Sequence, residues 1–207
     1  SGGVNGGRRQ FGNLVLTRHS PIQVLHHLLP SPADPKVKFM SRQTTELVIP
    51  TSSGAFRMMN THLEFFSEKQ QLSQVQRIRE LHEEACIQYN EPGLDLPNTP
   101  FERVDRPDKM VICGDFNFTL DSVSYQRMTA PFPDKIPDLF DAWNVVNPDG
   151  NRSPTCGVFD HKQWKNGPHC RDYFFLSENL FQQIQEVSVN TKTNASDHQP
   201  IRLILGV

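Results

Sequence analysis

The 207-residue chain has few cysteines and no spacing that would put them to chemical use. Cys86, Cys113, Cys156 and Cys170 are scattered, with no CxxC pair, which argues against a zinc site. Cys86 falls in a helix pattern and Cys113 in a strand pattern, where a thiol packs as a small apolar group. Unpaired thiols fit a reducing compartment, so a cytoplasmic location is expected. Excess positive charge is also missing: 21 Lys and Arg face 23 Asp and Glu, for a net charge of −2 and a pI near 6.4. No overall basic field therefore advertises a polyanion, although a local cleft can still be positive. No apolar run approaches the ~20 residues of a membrane helix. There is no internal repeat, GxSxG elbow, Walker loop or dinucleotide fingerprint. With 36% hydrophobic and 21% charged residues, what is left is an ordinary globular domain long enough for one sizeable core.

Residues 1–10, with Gly2, Gly3, Gly6 and Gly7, have the composition of a flexible N-terminal segment, and residues 11–207 are expected to form one domain. Phe11–Thr17 (FGNLVLT) reads as a first strand, and Ile22–Leu29, hemmed by Pro21, Pro30 and Pro32, as an edge strand or turn. His26 and His27 there read as solvated or loosely packed side chains in preference to metal ligands. Thr44–Pro50 and Ala55–His62 predict an antiparallel pair joined through Ser52-Ser53-Gly54. Ser67–Tyr89 is the clearest helix. Ser67 and Gln70 suit a capping box, and Leu72, Val75, Ile78, Leu81 and Ala85 form an apolar stripe. Lys69, Arg77, Arg79, Glu80, Glu83 and Glu84 lie off that stripe and read as a solvated face. A Pro-containing loop over 90–107 leads to the strand Lys109–Cys113. Ser122–Met128 and Asp138–Val145 read as short helices, the second packing Leu139, Phe140 and Trp143 inward. Asp172 opens a strand, Phe181–Thr191 supplies another, and Ile201–Leu205 closes the sheet.

Four strand ends carry polar side chains suited to phosphate or metal chemistry. Gly114-Asp115-Phe116-Asn117 follows a Val- and Ile-rich run; if the extended geometry continues, Asp115 and Asn117 point the same way. A carboxylate beside an amide can bind a hard cation and donate to an anionic oxygen. Taken alone, Gly, Asp and Asn make an ordinary turn. The pattern recurs at Asn60-Thr61-His62-Leu63-Glu64, at Arg171-Asp172-Tyr173 and at Ser196-Asp197-His198-Gln199-Pro200, and strand ends are where open scaffolds collect their chemistry.

NTHLE at 60–64, GDFN at 114–117, RDYFFLS at 171–177 and SDHQP at 196–200 resemble, in order, the motifs of the endonuclease/exonuclease/phosphatase superfamily, the DNase I-like phosphoesterases. The likeness runs from about Phe11 to the C-terminus. GDFN with a terminal SDH is specific to that family; HLE alone is weak. The resemblance implies an α+β fold, a four-layered α/β sandwich of two mainly antiparallel sheets flanked by helices. It also implies a phosphoric ester hydrolase dependent on Mg²⁺ or Mn²⁺. Carried over position by position, Asp115 orients the attacking water and shares the metal, and Asn117 donates to the phosphoryl oxygens. His198 contacts the phosphate and shuttles a proton, Asp172 fixes the tautomer of His198, Asp197 is a metal ligand, and His62 completes the phosphate cradle. Glu64 fits the motif or merely secures a loop. The segment from Thr155 to Trp164 resembles the variable loop bordering the family's cleft, where Lys162 and Lys165 either meet phosphate or stay solvated.

The chain departs from the family pattern at its start. The strand pair that carries an Asn and a Glu metal ligand in the family has no counterpart here, and Asn5, Asn13 and Glu46 do not replace them. An incomplete N-terminal half is therefore expected. The substrate classes open on this reading are nucleic acid, a phospholipid headgroup and a small phosphorylated metabolite. A catalytically silent module that binds a phosphorylated ligand or partner on the same scaffold is the rival.

Overall fold

The computed structural model describes residues 11–206; the expected flexible segment over residues 1–10 lies outside them. Six strands form a mixed sheet in the order β1-β2-β3-β4-β6-β5, and two more, β7 and β8, pair separately. The strands are β1 (Gln23–Leu28), β2 (Gln43–Ile49), β3 (Phe56–His62), β4 (Met110–Asp115), β5 (Leu139–Asp141), β6 (Asp172–Ser177), β7 (Ile184–Val189) and β8 (Ile201–Leu205). Helices α1 (Glu68–Asn90), α2 (Val123–Met128) and α3 (Ala142–Val146) complete the α+β architecture, with a 3₁₀ turn over Glu178–Gln183. No helix among the described residues is long and apolar enough to cross a membrane.

The near-continuous apolar run of β4 exists because both faces of the sheet are covered. Ile112 and Met110 face α1, packing with Met59, Leu63, Val75, Ile78, Leu81, Phe116, Tyr173 and Phe175. Val111 faces the other way, with Leu176, Ala142 and Leu180, against Val187 and Leu203 of the small sheet. The link from β3 through α1 to β4 makes those two strands parallel, whereas β6 returns antiparallel on the far side of β4. Three strands thus end or begin at one edge.

Several elements differ from the sequence reading. Phe11–Thr17 is not a strand. Its Leu14 and Leu16 stay exposed, and the segment is tied down through Asn13, whose Nδ2 donates to the carbonyls of Gln43 and Asn60, and through Phe11, whose ring lies 5.7 Å from that of His62. The sheet edge beside β2 is occupied by β1. Asp138–Val145 divides into β5 and α3, because Leu139–Asp141 pairs with β6; Phe140 then points outward and meets Phe181 edge-on. Ile201–Leu205 pairs only with β7 and so builds the second sheet instead of closing the first. Ser67 does cap α1, accepting from the Gln70 amide, but the Gln70 side chain donates to the Pro32 carbonyl and leaves the capping box half made. Arg79 is buried, its guanidinium donating to the carbonyls of Met128, Ala130 and Pro131. A helix face rich in charge looks solvated from sequence, and here a loop that offers three carbonyls covers it.

A buried ionic cluster ties the 90–107 loop to the sheet. Glu46, on β2, is 1% exposed; its carboxylate accepts from both sides of the Arg106 fork and from His27 Nε2 at 2.9 Å. His27 is therefore engaged, while His26 is exposed. Arg57, fully buried, donates to the Pro107 carbonyl and to His82 Nδ1. Burial, and then the Arg57 charge, pushes His82 down to about 3. It is neutral, accepting at Nδ1 and donating from Nε2 to the Pro137 carbonyl.

Burial alone would raise the Glu46 carboxyl, but hydrogen bonds from His27 and Arg106 and the nearby Arg57 charge outweigh it and hold the carboxyl at about 2. A depressed carboxyl stabilises the fold above its ordinary value near 4.5, and that contribution disappears as pH falls from there to about 2, roughly 3 kcal/mol in all. Urea unfolding of Glu46→Gln should show lower stability at pH 7, because buried arginines lose their counter-charge. It should also show a flatter loss between pH 4.5 and 2 than the parent chain. An identical acid slope in the two proteins would remove Glu46 as its source.

Candidate active site

The sheet register brings three of the singled-out side chains side by side. His62, the last residue of β3, lies opposite Asp115, the last of β4, and Asp115 lies opposite Asp172, the first of β6. Gly114 makes this alignment possible. Its φ is +145°, and a Cβ there would sit 1.9 Å from the Thr61 carbonyl oxygen, so only glycine lets β4 lie this close to β3 at its end. The chain then turns away from the strand. Asn117 adopts a left-handed conformation with φ of +56°, so Asp115 and Asn117 do not share one extended face as expected. Two hydrogen bonds hold the turn locally: Asn117 N to Asp115 Oδ1 at 2.9 Å and Asn117 Nδ2 to the Leu63 carbonyl at 2.9 Å.

His198 arrives from the loop before β8, anchored by the Gln199 amide on the Thr155 carbonyl and by a bridge between Cys156 and His198. Its Nδ1 is 2.8 Å from Asp172 Oδ2, and its Nε2 is 4.0 Å from Asp115 Oδ2. His62 Nε2 is 3.4 Å from that same Asp115 oxygen. Ligand atoms of Asp115, Asp172 and His198 lie within 4.8 Å of one another, a donor set rich in carboxylate oxygen that suits a hard divalent cation. Asp197 is exposed and outside that trio, although it lines the same cleft. The cleft holds about 700 Å³ and is lined by His62, Asp115, Asn117, Asp172, Asp197 and His198 on one side and by Phe65, Phe66 and Trp164 on another.

The two imidazoles behave differently. Burial, then the Arg42 and His198 charges, pushes His62 down to about 4. The hydrogen bond that His198 Nδ1 donates to Asp172 pushes His198 up against the opposing effect of burial. Near neutral pH His62 is an uncharged imidazole, and His198 is biased towards imidazolium. Burial first, and then the Asp172 charge, raises Asp115 to about 6. A carboxylate lifted in this way is a stronger base than an exposed one.

Glu64 is buried, accepting from the Phe66 amide and from Arg42 Nε, which secures the loop after β3. In the Thr155–Trp164 segment, Trp164 and the neighbouring Gln163 reach the cleft, whereas Lys162 and Lys165 are exposed outside it. Sequence reasoning missed Thr155, whose hydroxyl accepts from the amides of both Arg171 and Asp172 and so aims the start of β6. It carries no sequence signal. Phe65, Phe66 and Trp164 had one, being aromatics next to polar motifs. All four cysteines are free thiols.

The profile of the Endonuclease/Exonuclease/phosphatase family matches residues 2–198, starting upstream of the expected Phe11. An exodeoxyribonuclease of Bacillus subtilis (strain 168) is 26% identical over 124 residues, covering 50% of this chain and 47% of that protein. The chain thus spans about half the length of this curated relative. Among solved structures, the mannosyl-6-phosphatase of Bacteroides thetaiotaomicron VPI-5482 is similar with a TM-score of 0.59 at 17% identity, over 90% of this chain and 67% of that one. The 3′ phosphatase NExo from Neisseria, bound to a product DNA hairpin, is similar with a TM-score of 0.58 at 19% identity, over 92% and 73%. At these identities the structural likeness speaks for the fold, and it agrees with the α+β, two-sheet architecture.

If Asp172 is what raises His198, Asp172→Asn should lower the imidazole pKa measured by NMR in metal-free protein, leaving His62 uncharged at neutral pH. An unchanged His198 titration would detach the pair.

Proposed function

Because the chain belongs to the endonuclease/exonuclease/phosphatase family, we propose that it is a divalent-metal-dependent phosphoric ester hydrolase that cleaves a phosphodiester by attack of water. The observation that carries this reading is the meeting of Asp115, Asp172 and His198 beside His62 and Asn117 in one open cleft. Residues 11–207 would act as one unit. Phosphate esters resist attack because their anionic oxygens repel nucleophiles, so a catalyst must neutralise charge, aim a water and support the leaving oxygen.

Asp115, a desolvated carboxylate, orients the water and takes its proton. Asn117 commits one amide hydrogen to Leu63 and has a second for a phosphoryl oxygen. His198, held at Nδ1 by Asp172, turns Nε2 towards the phosphate, where an imidazolium offsets negative charge and carries a proton. His62 completes the cradle as a neutral imidazole. Asp115 would hold the cation, with Asp197, which lies outside the Asp115–Asp172–His198 trio but lines the same cleft, as its second carboxylate; Asp172 would serve the imidazole. Oxygen donors favour Mg²⁺, with Mn²⁺ acceptable, over a thiophilic metal. When bound, the ion would neutralise phosphoryl oxygens and polarise the phosphorus centre.

Nucleic acid, a phospholipid headgroup and a small phosphorylated metabolite all present the required ester. The exodeoxyribonuclease relative and the half-exposed Phe65 and Phe66, which offer stacking faces, support the first.

Hydrolysis of bis-p-nitrophenyl phosphate and of single- and double-stranded DNA, with Mg²⁺, Mn²⁺ or EDTA, tests the reading. Turnover should need the metal and fall on the order of 100-fold or more in both Asp115→Asn and His198→Ala. Equal turnover in the variants would reject the assignments. Tight phosphate binding without any turnover would make the chain a binding module instead.

A further inference from the structure

Arg171 stands immediately before Asp172 and belongs to none of the roles above. Its guanidinium carbon lies 5.1 Å from the Phe65 ring centre and 4.9 Å from that of Trp164, within the range in which a cation is attracted to both aromatic faces. Nη1 donates to the Asn117 carbonyl at 2.5 Å, and Nε donates to His169 Nε2 at 2.9 Å. Because His169 Nε2 accepts, its proton is on Nδ1, which donates to the Gly167 carbonyl. No carboxylate pairs with Arg171 among the described residues. The backbone of Arg171 is equally committed, through its amide to Thr155 Oγ1 and its carbonyl to the Phe116 amide.

One side chain therefore joins three loops that come from distant parts of the sequence. Asn117 is left-handed, a conformation that costs a non-glycine residue free energy and persists only where surrounding contacts over-determine it. Two of its hydrogen bonds are local to the strand ends; the third comes from Arg171. Trp164 lies edge-on to both His169 and His198, so the loop that Arg171 grips at His169 also forms the wall beside the imidazole. Phe65 meets Trp164 at 6.0 Å, which places the guanidinium where the two aromatic walls come together.

We propose that Arg171 is a positioning residue for the phosphoesterase reaction: its planar fork locks the Asn117 turn to the Trp164–His169 loop, fixing the amide and the aromatic wall relative to Asp115 and His198. The proposal rests on the hydrolase reading. Lysine is no substitute, since a point charge cannot bond the Asn117 carbonyl and His169 at once while lying against both rings.

The test compares the parent with Arg171→Lys and Arg171→Met for thermal unfolding, for kcat and KM on bis-p-nitrophenyl phosphate, and for acrylamide quenching of Trp164 in a Trp143→Phe background. Both variants should fold, lose at least about tenfold in kcat with a smaller change in KM, and expose Trp164 to quencher. Full activity in Arg171→Lys would show that charge suffices and overturn the lock. So would parent-like quenching in Arg171→Met. If the parent itself hydrolyses nothing, the hydrolase reading fails, while quenching still reports whether the lock exists.

Discussion

Three neighbouring strands come into lateral register at a single edge, and the candidate cleft depends on that alignment. His62, Asp115 and Asp172 are successive cross-strand partners, so their separations follow from the spacing of a sheet and not from loop conformation. The α1 crossover makes β3 and β4 parallel, and the return of β6 adds an antiparallel neighbour. Two strand ends and one strand start therefore face the same solvent. Gly114 removes the one Cβ that would push β4 away from β3. Of the trio Asp115, Asp172 and His198, the imidazole arrives by loop, and hydrogen bonds at Thr155 and Asp172 hold that loop.

Such crowding has electrostatic consequences. Burial first, and then the charge of Asp172 on the adjacent strand, raises the Asp115 carboxyl. The two imidazoles near it then separate according to their partners. His198 holds a close hydrogen bond to Asp172 and is pushed up. His62 has a longer approach to Asp115, is desolvated, feels the Arg42 and His198 charges, and is pushed down. The same cleft thus pushes its two imidazoles in opposite directions, His198 up and His62 down, as environments do when they separate the titrations of neighbouring groups.

Much of this was legible before any coordinates. The 3.6-residue stripe of α1, the paired strands around Ser52-Ser53-Gly54 and the strands ending at Asp115 and beginning at Asp172 all follow from periodicity. So does the expectation that the polar motifs sit at strand ends. The failures share a cause. Phe11–Thr17 reads as a strand, yet among the described residues no strand pairs with it; Asp138–Val145 reads as a helix, yet an open edge of β6 captured Leu139–Asp141. Arg79 looks solvated until a loop that offers carbonyls closes over it. Pattern records what a segment could bury and is silent about which partner arrives.

The order of side chains along the chain determined, by itself, which chemistry this protein can attempt. Carboxylates, an amide and imidazoles at the ends of apolar runs can bind a hard cation, move a proton and donate to an anionic oxygen, because residue type sets the donors and charges on offer. Tertiary structure alone decided that Asn117 turns left-handed away from the strand and that the Thr155 hydroxyl aims the start of β6. It also decided that Arg171 joins the walls of the cleft. Each of these depends on contacts between residues well separated in the chain, whose distances are set by packing and register, and neither can be read from a one-dimensional string.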